Sequence, residues 1–154
     1  MSLTDTYTLS NGHKIPVIGF GTWQSADGDV AYQAVKWALE AGYRHIDTAA
    51  IYGNESSVGR AIKDSGISRD DLFVTTKLWN DAHNYDKAKA ALDTSLDKLG
   101  LDYVDLYLIH WPNPAALRNE QENAWESANA DTWLALEAAY ENGKTKAIGV
   151  SNFQ

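Results

Sequence analysis

The stretch GYRHIDTAAIYGNESSVGRAIKDSG, residues 42–66, contains one strand–loop–helix unit bounded by glycines. We interpret Arg44–Thr48 as a short strand. After Asn54, a residue type that favours helix starts, Val58, Ala61 and Ile62 recur at helical spacing. Gly66 then ends the helix. A strand followed by a helix is the building unit of α/β folds, so this stretch predicts an α/β protein.

Outward from this unit, the same alternation repeats at intervals of roughly 30 residues, the size of one βαβ unit. The other predicted strands are Ile18–Thr22, Leu72–Leu78, Tyr103–Ile109 and Ala147–Val150. Ahead of them, Tyr7–Leu9 and Lys14–Ile18 flank the turn residues Ser10, Asn11 and Gly12, a pattern that predicts a β-hairpin.

Three further helices are predicted from apolar residues at helical spacing that stop at a glycine. Their apolar faces are Val30, Ala34, Trp37, Ala38 and Ala41 before Gly42; Leu92, Leu96 and Leu99 before Gly100; and Trp133, Leu136 and Tyr140 before Gly143. Trp37 and Trp133 are accordingly expected in the core. The polar stretch Pro112–Ala130 delays the last helix, and we interpret it as a solvated loop, with a flap over a pocket as the alternative.

Two architectures accept this alternation. A (β/α)8 barrel needs roughly 250 residues, whereas a doubly wound open sheet of five strands fits a chain of 154. Length therefore favours the open sheet. Against it, the turn Gly19–Trp23 does not form a GxGxxG phosphate cradle and does not run directly into a helix. The last predicted strand also lacks a covering helix.

Composition predicts a single globular domain over residues 1–154. The formal net charge of −8 argues against nonspecific binding to nucleic acid or to an anionic membrane, so neither is expected as a partner. No cysteine is present, which excludes disulfides and cysteine-based metal sites. The start of the chain lacks a signal-peptide pattern, and no stretch approaches the ~20 apolar residues of a membrane span, so a cytoplasmic location is expected.

Four polar side chains lie at or just after the carboxyl ends of the predicted strands, where parallel α/β sheets bind their ligands. Asp47, Lys77 and His110 lie at the carboxyl ends of successive predicted strands, and Tyr52 lies on the loop after Asp47. These strand ends share one rim in parallel α/β folds. Reduction of a carbonyl needs a hydride donor and an acid, and an ammonium beside a phenol favours loss of the phenol proton. We therefore expect Tyr52 as the acid, Lys77 to assist it, Asp47 to pair with Lys77, and His110 to donate to the carbonyl oxygen.

Each of these residues taken singly has an ordinary structural explanation. Asp47 alone would be a helix cap or a buried strand-end carboxylate, and Lys77 a side chain that reaches from an apolar strand to water. His110 alone would be a hydrogen-bonded core histidine, and Tyr52 a surface aromatic. Only their joint placement favours a site. The remaining histidines, His13, His45 and His83, fit no such group, and no metal site is expected.

Two long motifs carry a family resemblance. GYRHIDTAAIYGNESSVG, residues 42–59, and KAIGVSNF, residues 146–153, resemble two signatures of the aldo-keto reductases, and the hairpin with IGFGTW, residues 18–23, resembles the start of that family. The resemblance implies the first five strands of a (β/α)8 TIM barrel, preceded by an N-terminal β-hairpin that closes the bottom of the barrel. It therefore favours the barrel over the open sheet that length alone suggests.

The resemblance also implies site roles and a cofactor. It assigns the acid to Tyr52, its tuning to Lys77 and Asp47, and the orientation of the carbonyl to His110. Around NADPH, with NADH possible, Ser151 and Asn152 would bind the nicotinamide carboxamide, Gly21 and Thr22 would lie near its ribose, and Asp47 would border the same site. Trp23, Trp79 and Trp111 follow strand ends and, with His110, are expected to line the pocket of a small carbonyl substrate.

The resemblance places the family's adenosine-phosphate grip in a third motif beyond the sixth strand, and this chain does not contain it. We therefore expect the 154 residues alone not to reduce carbonyls, and to associate with another copy or with a complementary half-barrel through open strand edges. Two alternatives stay open: a small flavodoxin-like domain that binds a phosphate ligand, and a half-barrel that serves in protein interaction without catalysis.

Overall fold

The computed structural model describes residues 2–112, 114, 115, 117 and 123–153. Its strands are β1 (Thr6–Thr8), β2 (Lys14–Pro16), β3 (Phe20–Gly21), β4 (His45–Asp47), β5 (Phe73–Leu78), β6 (Leu106–Ile109) and β7 (Ile148–Val150). Its α-helices are α1 (Asp29–Glu40), α2 (Glu55–Asp64), α3 (Tyr85–Leu99) and α4 (Ala124–Glu141). These elements confirm the predicted α/β alternation, although most strands are shorter than the sequence pattern suggested.

The strand order decides between the two architectures. β1 and β2 form an antiparallel hairpin, and β3 to β7 form a parallel sheet in unbroken chain order. A doubly wound sheet reverses its strand order at a switch point, whereas a barrel adds each strand beside the last. The helices also pack in succession, α1 on α2, α2 on α3 and α3 on α4. The sheet is therefore a five-strand segment of barrel type, and the preference from length for an open sheet is wrong.

The two faces of the sheet differ because successive strand residues point to opposite sides. Ile46, Val74, Leu78, Tyr107 and Ile109 join the helices in one apolar core. The alternate residues form the other face and lead at the carboxyl end of the strands to the predicted site residues.

The hairpin lies at the opposite end of the sheet from those residues. Asn11 Nδ2 donates to the carbonyl oxygen of Lys146 at 2.8 Å, and His13 Nε2 lies 3.3 Å from Asp105 Oδ1. Arg69 holds the other oxygen of Asp105 at 2.6 Å, in the segment that leads into β6. The hairpin is thus fastened to the amino ends of the strands.

The predicted apolar face of α1 is right for Ala38, which is buried, and wrong for Val30 and Trp37. Val30 and Trp37 are 60% and 62% exposed, whereas the buried residues of this helix are Ala31, Val35, Ala38 and Leu39. The helix carries two adjacent apolar stripes, and periodicity cannot tell which one meets the sheet. Trp37 is therefore not a core residue.

The last helix also departs from expectation. α4 already begins at Ala124, well inside the stretch predicted to be a loop. Leu136 is buried and Trp133 packs against the core, as predicted, but Tyr140 is exposed. The flap, the alternative interpretation of Pro112–Ala130, depends on a stretch of which residues 113, 116 and 118–122 lie outside the described part of the chain. None of the helices in the described residues combines the length and apolar character needed to cross a lipid bilayer.

Candidate active site

Strand register brings the predicted polar residues together. Asp47 is the last residue of β4, Lys77 lies near the end of β5, and His110 directly follows β6. In the ladder, Asp47 pairs with Thr75, and Lys77 pairs with Leu108, two residues before His110. Because paired residues and residues two apart point to the same face, all three side chains lie on the side of the sheet away from the helices.

Lys77 and Asp47 form the electrostatic centre of this rim. Lys77 Nζ donates to Asp47 Oδ1 at 2.5 Å and to the carbonyl oxygen of Thr48 at 3.0 Å. The lysine is buried and the aspartate is one third exposed. A buried ammonium needs such partners because unpaired burial of a charge is costly. Lys77 is therefore held in one position by two oxygen acceptors.

Tyr52 ends a 3-10 turn, Ala50–Tyr52, that follows β4. Lys77 Nζ lies 5.3 Å from the centre of the Tyr52 ring, and the rings of Tyr52 and His110 meet edge to face with their centres 5.8 Å apart. The turn is closed by Gly53 at φ 68°, a left-handed conformation that favours glycine. Tyr52 thus packs against both Lys77 and His110 on the rim.

Asn54 stabilises the Tyr52 turn through hydrogen bonds of its side chain. It occupies the N-cap position of α2, but its side chain makes no capping bond, so the predicted capping role is wrong. Instead, its buried amide donates to the carbonyl oxygens of Thr22 and Ser25 at 2.9 Å each, and it accepts from Thr48 Oγ1 at 3.1 Å. The loop after β3, the end of β4 and the Tyr52 turn are thereby joined.

Glu55 is a second support that sequence reasoning missed. It is 1% exposed and accepts hydrogen bonds from Thr76 Oγ1 at 2.8 Å and from Ser95 Oγ at 3.1 Å. Thr76 is the neighbour of Lys77 in β5. Glu55 therefore joins the start of α2, which follows the Tyr52 turn, to the strand that carries Lys77. A glutamate in the first turn of a helix usually indicates only a favourable interaction with the helix dipole. No sequence pattern therefore indicated that Glu55 binds Thr76 and Ser95.

His110 is kept neutral at ordinary pH. Burial lowers the pKa of its imidazole most, and the Lys77 ammonium lowers it further, against an opposing effect of Asp47. Its Nδ1 is buried and has no hydrogen-bond partner in the described residues. A neutral imidazole carries one N–H, and a proton on Nε2 directs that donor toward the open side of the rim.

Two of the three predicted pocket tryptophans flank His110. The ring centres of Trp79 and Trp111 lie 5.4 Å and 6.5 Å from that of His110. Trp23 is 68% exposed, and no ring pairing joins it to this group in the part of the chain that the structure describes. The aromatic wall is therefore formed by Trp79 and Trp111, with Trp23 apart.

The residues predicted near a cofactor lie at the ends of β3 and β7. Asn152 Nδ2 donates to the carbonyl oxygen of His110 at 2.9 Å and to Ser151 Oγ at 3.0 Å. Thr22 is fully buried, and its hydroxyl donates to the carbonyl oxygen of Asp47 at 3.2 Å. Thr22 therefore supports Asp47, and the exposed backbone of Gly21 is the part of this turn that faces outward.

The charge of Lys77 can be tested through His110. In Lys77→Met, the pKa of His110 is expected to rise, because the ammonium that lowers it is gone and Asp47, which raises it, loses its counter-ion. The protein has only four histidines, so an NMR pH titration of the imidazoles resolves each one. Lys63→Met, on the exposed side of α2, is the matched control. A His110 titration unchanged in Lys77→Met would mean that the ammonium does not act on this ring.

Comparison with known proteins matches this chain to one family. Residues 17–154 match the model of the Aldo/keto reductase family. The glyoxal reductase of Bacillus subtilis (strain 168) is 48% identical over 153 residues, which cover 99% of this chain and 51% of that protein. The glycerol 2-dehydrogenase (NADP(+)) of Saccharomyces cerevisiae is 51% identical over 166 residues, which cover 97% of this chain and 52% of that protein.

Solved structures agree as well. The aldo/keto reductase of Brucella melitensis superposes with a TM-score of 0.88 at 52% identity, over 97% of this chain and 54% of that one. The Bombyx mori aldo-keto reductase in complex with NADP gives a TM-score of 0.85 at 44% identity, over 97% of this chain and 50% of that one. The chain thus spans about half the length of the relatives it matches, and its sheet corresponds to the amino-terminal half of their (β/α)8 barrel. It belongs to the aldo/keto reductase family.

Proposed function

We propose that this chain supplies the acid–base half of an oxidoreductase that reduces aldehydes or ketones to alcohols with NADPH, or with NADH. The observation that carries the proposal is the packing of Tyr52 against both Lys77, 5.3 Å from its ring centre, and His110, 5.8 Å away. A phenol beside an ammonium and a neutral imidazole suits proton donation to a developing alkoxide.

The residues at the end of β7 fit a nicotinamide carboxamide. Asn152 donates to Ser151 Oγ, so the Ser151 hydroxyl keeps its own proton to donate. Asn152 Oδ1 accepts no hydrogen bond within the described residues and can receive the carboxamide N–H. Ser151 and Asn152 would hold the nicotinamide end, with Gly21 near the ribose and Asp47 at its border. When bound, the cofactor supplies the hydride.

The side chains then have distinct roles. His110, neutral and with its outward N–H, binds the substrate carbonyl oxygen and directs it toward Tyr52. Tyr52 gives its proton to that oxygen. Lys77 stabilises the phenolate that remains, and Asp47 holds Lys77 in place. Trp79 and Trp111 exclude water and contact the apolar part of the substrate.

The proposed substrates are small carbonyl compounds. The relatives include a glyoxal reductase and the aldehyde reductase YPR1 of Saccharomyces cerevisiae, which is 48% identical over 164 residues. Glyoxal and aromatic aldehydes are therefore the first compounds to assay.

We further propose that these 154 residues need the rest of a barrel. β3 and β7 each pair on one side only within the described sheet, and such edges recruit other strands. Beside β7 lies an apolar cleft of about 350 Å³ lined by Ile109, Asn129, Ala130, Trp133, Val150 and Phe153. On the other flank, α1 exposes Val30 and Trp37. A complementary half-barrel or a second copy would cover both flanks.

A half-exchange experiment tests the proposal. The corresponding half of the Bacillus subtilis glyoxal reductase is replaced by this chain, which matches it over 153 residues. The exchanged barrel is expected to oxidise NADPH in the presence of glyoxal. A well-folded exchanged barrel that binds NADPH but reduces none of the assayed aldehydes would contradict the proposal.

A further inference from the structure

Two buried polar side chains lie beside the loops that carry Trp79 and Trp111, and they have no part in the proposed chemistry. His83 is 8% exposed and follows the 3-10 turn Asn80–Ala82 that comes directly after Trp79. Asn129 is 9% exposed and lies in the second turn of α4. Burial of polar groups is costly unless they are paired, so both residues call for an explanation.

Asn129 contacts the chain beside both tryptophans. Its Nδ2 donates to the carbonyl oxygen of Pro112, the residue after Trp111, at 2.7 Å. Its amide also lies near the His83 imidazole; burial lowers the pKa of that ring most, and the Asn129 side chain opposes this effect. A third link joins the same regions, since Asp131 Oδ2 accepts from the backbone N–H of Tyr85 at 2.7 Å.

The His83–Asn129 pair is not closed by a direct hydrogen bond. Neither ring nitrogen of His83 nor Asn129 Oδ1 has a hydrogen-bond partner within the described residues. The N–H of a neutral His83 imidazole can donate to Asn129 Oδ1. A small movement of either side chain, or one bridging water, is enough to complete this contact. An apolar residue at position 129 would avoid the desolvation cost but would leave the Pro112 carbonyl without this donor.

We propose that Asn129 and His83 are positioning residues that set the separation of Trp79 and Trp111 across His110. The bridge runs from Pro112 through Asn129 to His83, so it joins the loop of one tryptophan to the loop of the other. Because the two indoles lie 5.4 Å and 6.5 Å from the His110 ring, a change in the bridge changes the positions of the indoles relative to that ring. On the proposed function, it selects substrates by width.

His110 itself reports on the bridge in this 154-residue chain. Its ring lies close to two indoles, so the NMR frequencies of its protons depend on the positions of those rings. Asn129→Leu removes both contacts. Asn129→Asp keeps the shape, removes the donor to Pro112 and puts a carboxylate beside His83, which is expected to raise the pKa of His83. Asn142→Leu, beyond the end of α4, is the matched control.

The His110 resonances are expected to shift in both Asn129 variants and to stay in place in Asn142→Leu. Unchanged His110 resonances in a folded Asn129→Asp chain would overturn the proposal. If Asn129→Leu does not fold, the isosteric Asn129→Asp variant decides alone.

A kinetic arm uses the exchanged barrel. Asn129→Asp is expected to change the KM for an aromatic aldehyde several-fold more than the KM for glyoxal, because only the larger substrate fills the width between the indoles. Equal effects on both substrates would indicate a general structural role and would also count against the proposal. A parent barrel without reductase activity would contradict the proposed function, whereas the His110 measurement would still decide the bridge.

Discussion

Tyr52→Phe is expected to lower turnover of the exchanged barrel by about 10²–10⁴-fold, the usual contribution of a general acid. The substitution removes one hydroxyl and keeps the ring that packs between Lys77 and His110. NADPH binding should therefore change little, because the proposed cofactor contacts are made by Gly21, Ser151 and Asn152. Steady-state kinetics and a fluorescence titration of NADPH measure the two effects separately.

Tyr140→Phe is the matched control for this experiment. Tyr140 is 47% exposed on α4, away from the rim, and its hydroxyl makes no hydrogen bond in the described residues. Turnover of this variant should equal that of the parent. Near-parental turnover in Tyr52→Phe would remove Tyr52 from the role of acid.

Gly59→Ala is expected to produce the largest loss of stability from a single methyl group in this fold. A Cβ at position 59 would lie 2.1 Å from the carbonyl oxygen of Leu99, which is backbone and cannot rotate away. α2 and α3 would have to separate, and overpacking of this kind costs about 1–3 kcal/mol, occasionally more. Urea denaturation followed by circular dichroism should show a lower transition midpoint.

Ser56→Ala on the exposed side of the same helix is the control for Gly59→Ala. It adds no volume at a helix contact, and alanine favours the helix, so the midpoint should hold or rise slightly. A Gly59→Ala chain as stable as the parent would mean that α2 and α3 are not packed as closely as their crossing indicates.

The positions of the site residues could be predicted because they depend on strand ends. Asp47, Lys77 and His110 each lie at or next to the end of a strand whose apolar pattern is clear from the sequence, and parallel strands place such residues on one rim. The architecture was harder. Length favoured an open sheet. The missing GxGxxG turn and the uncovered last strand counted against that sheet, and the two long motifs, with the hairpin, favoured the barrel. Periodicity alone could not decide, because it does not encode strand order.

Residues whose role depends on tertiary contacts could not be predicted. Trp37 belongs to an apolar stripe at correct helical spacing, yet it is the adjacent stripe that meets the sheet. Asn54 and Glu55 read as ordinary helix-start residues, because hydrogen bonds to Thr22 and Ser95 join positions 32 and 40 residues apart in the chain. No local pattern reveals such distant partners.

The central claim is that this rim is a carbonyl-reductase site that works only when the barrel is completed. The most direct test measures NADPH oxidation with glyoxal, side by side, for mass-verified 154-residue protein and for the exchanged barrel, with sedimentation velocity on both. We expect an active exchanged barrel, and a 154-residue chain that self-associates and shows no carbonyl-dependent oxidation. A compact, active monomer of 154 residues, or a folded exchanged barrel that binds NADPH and stays inactive, would contradict it.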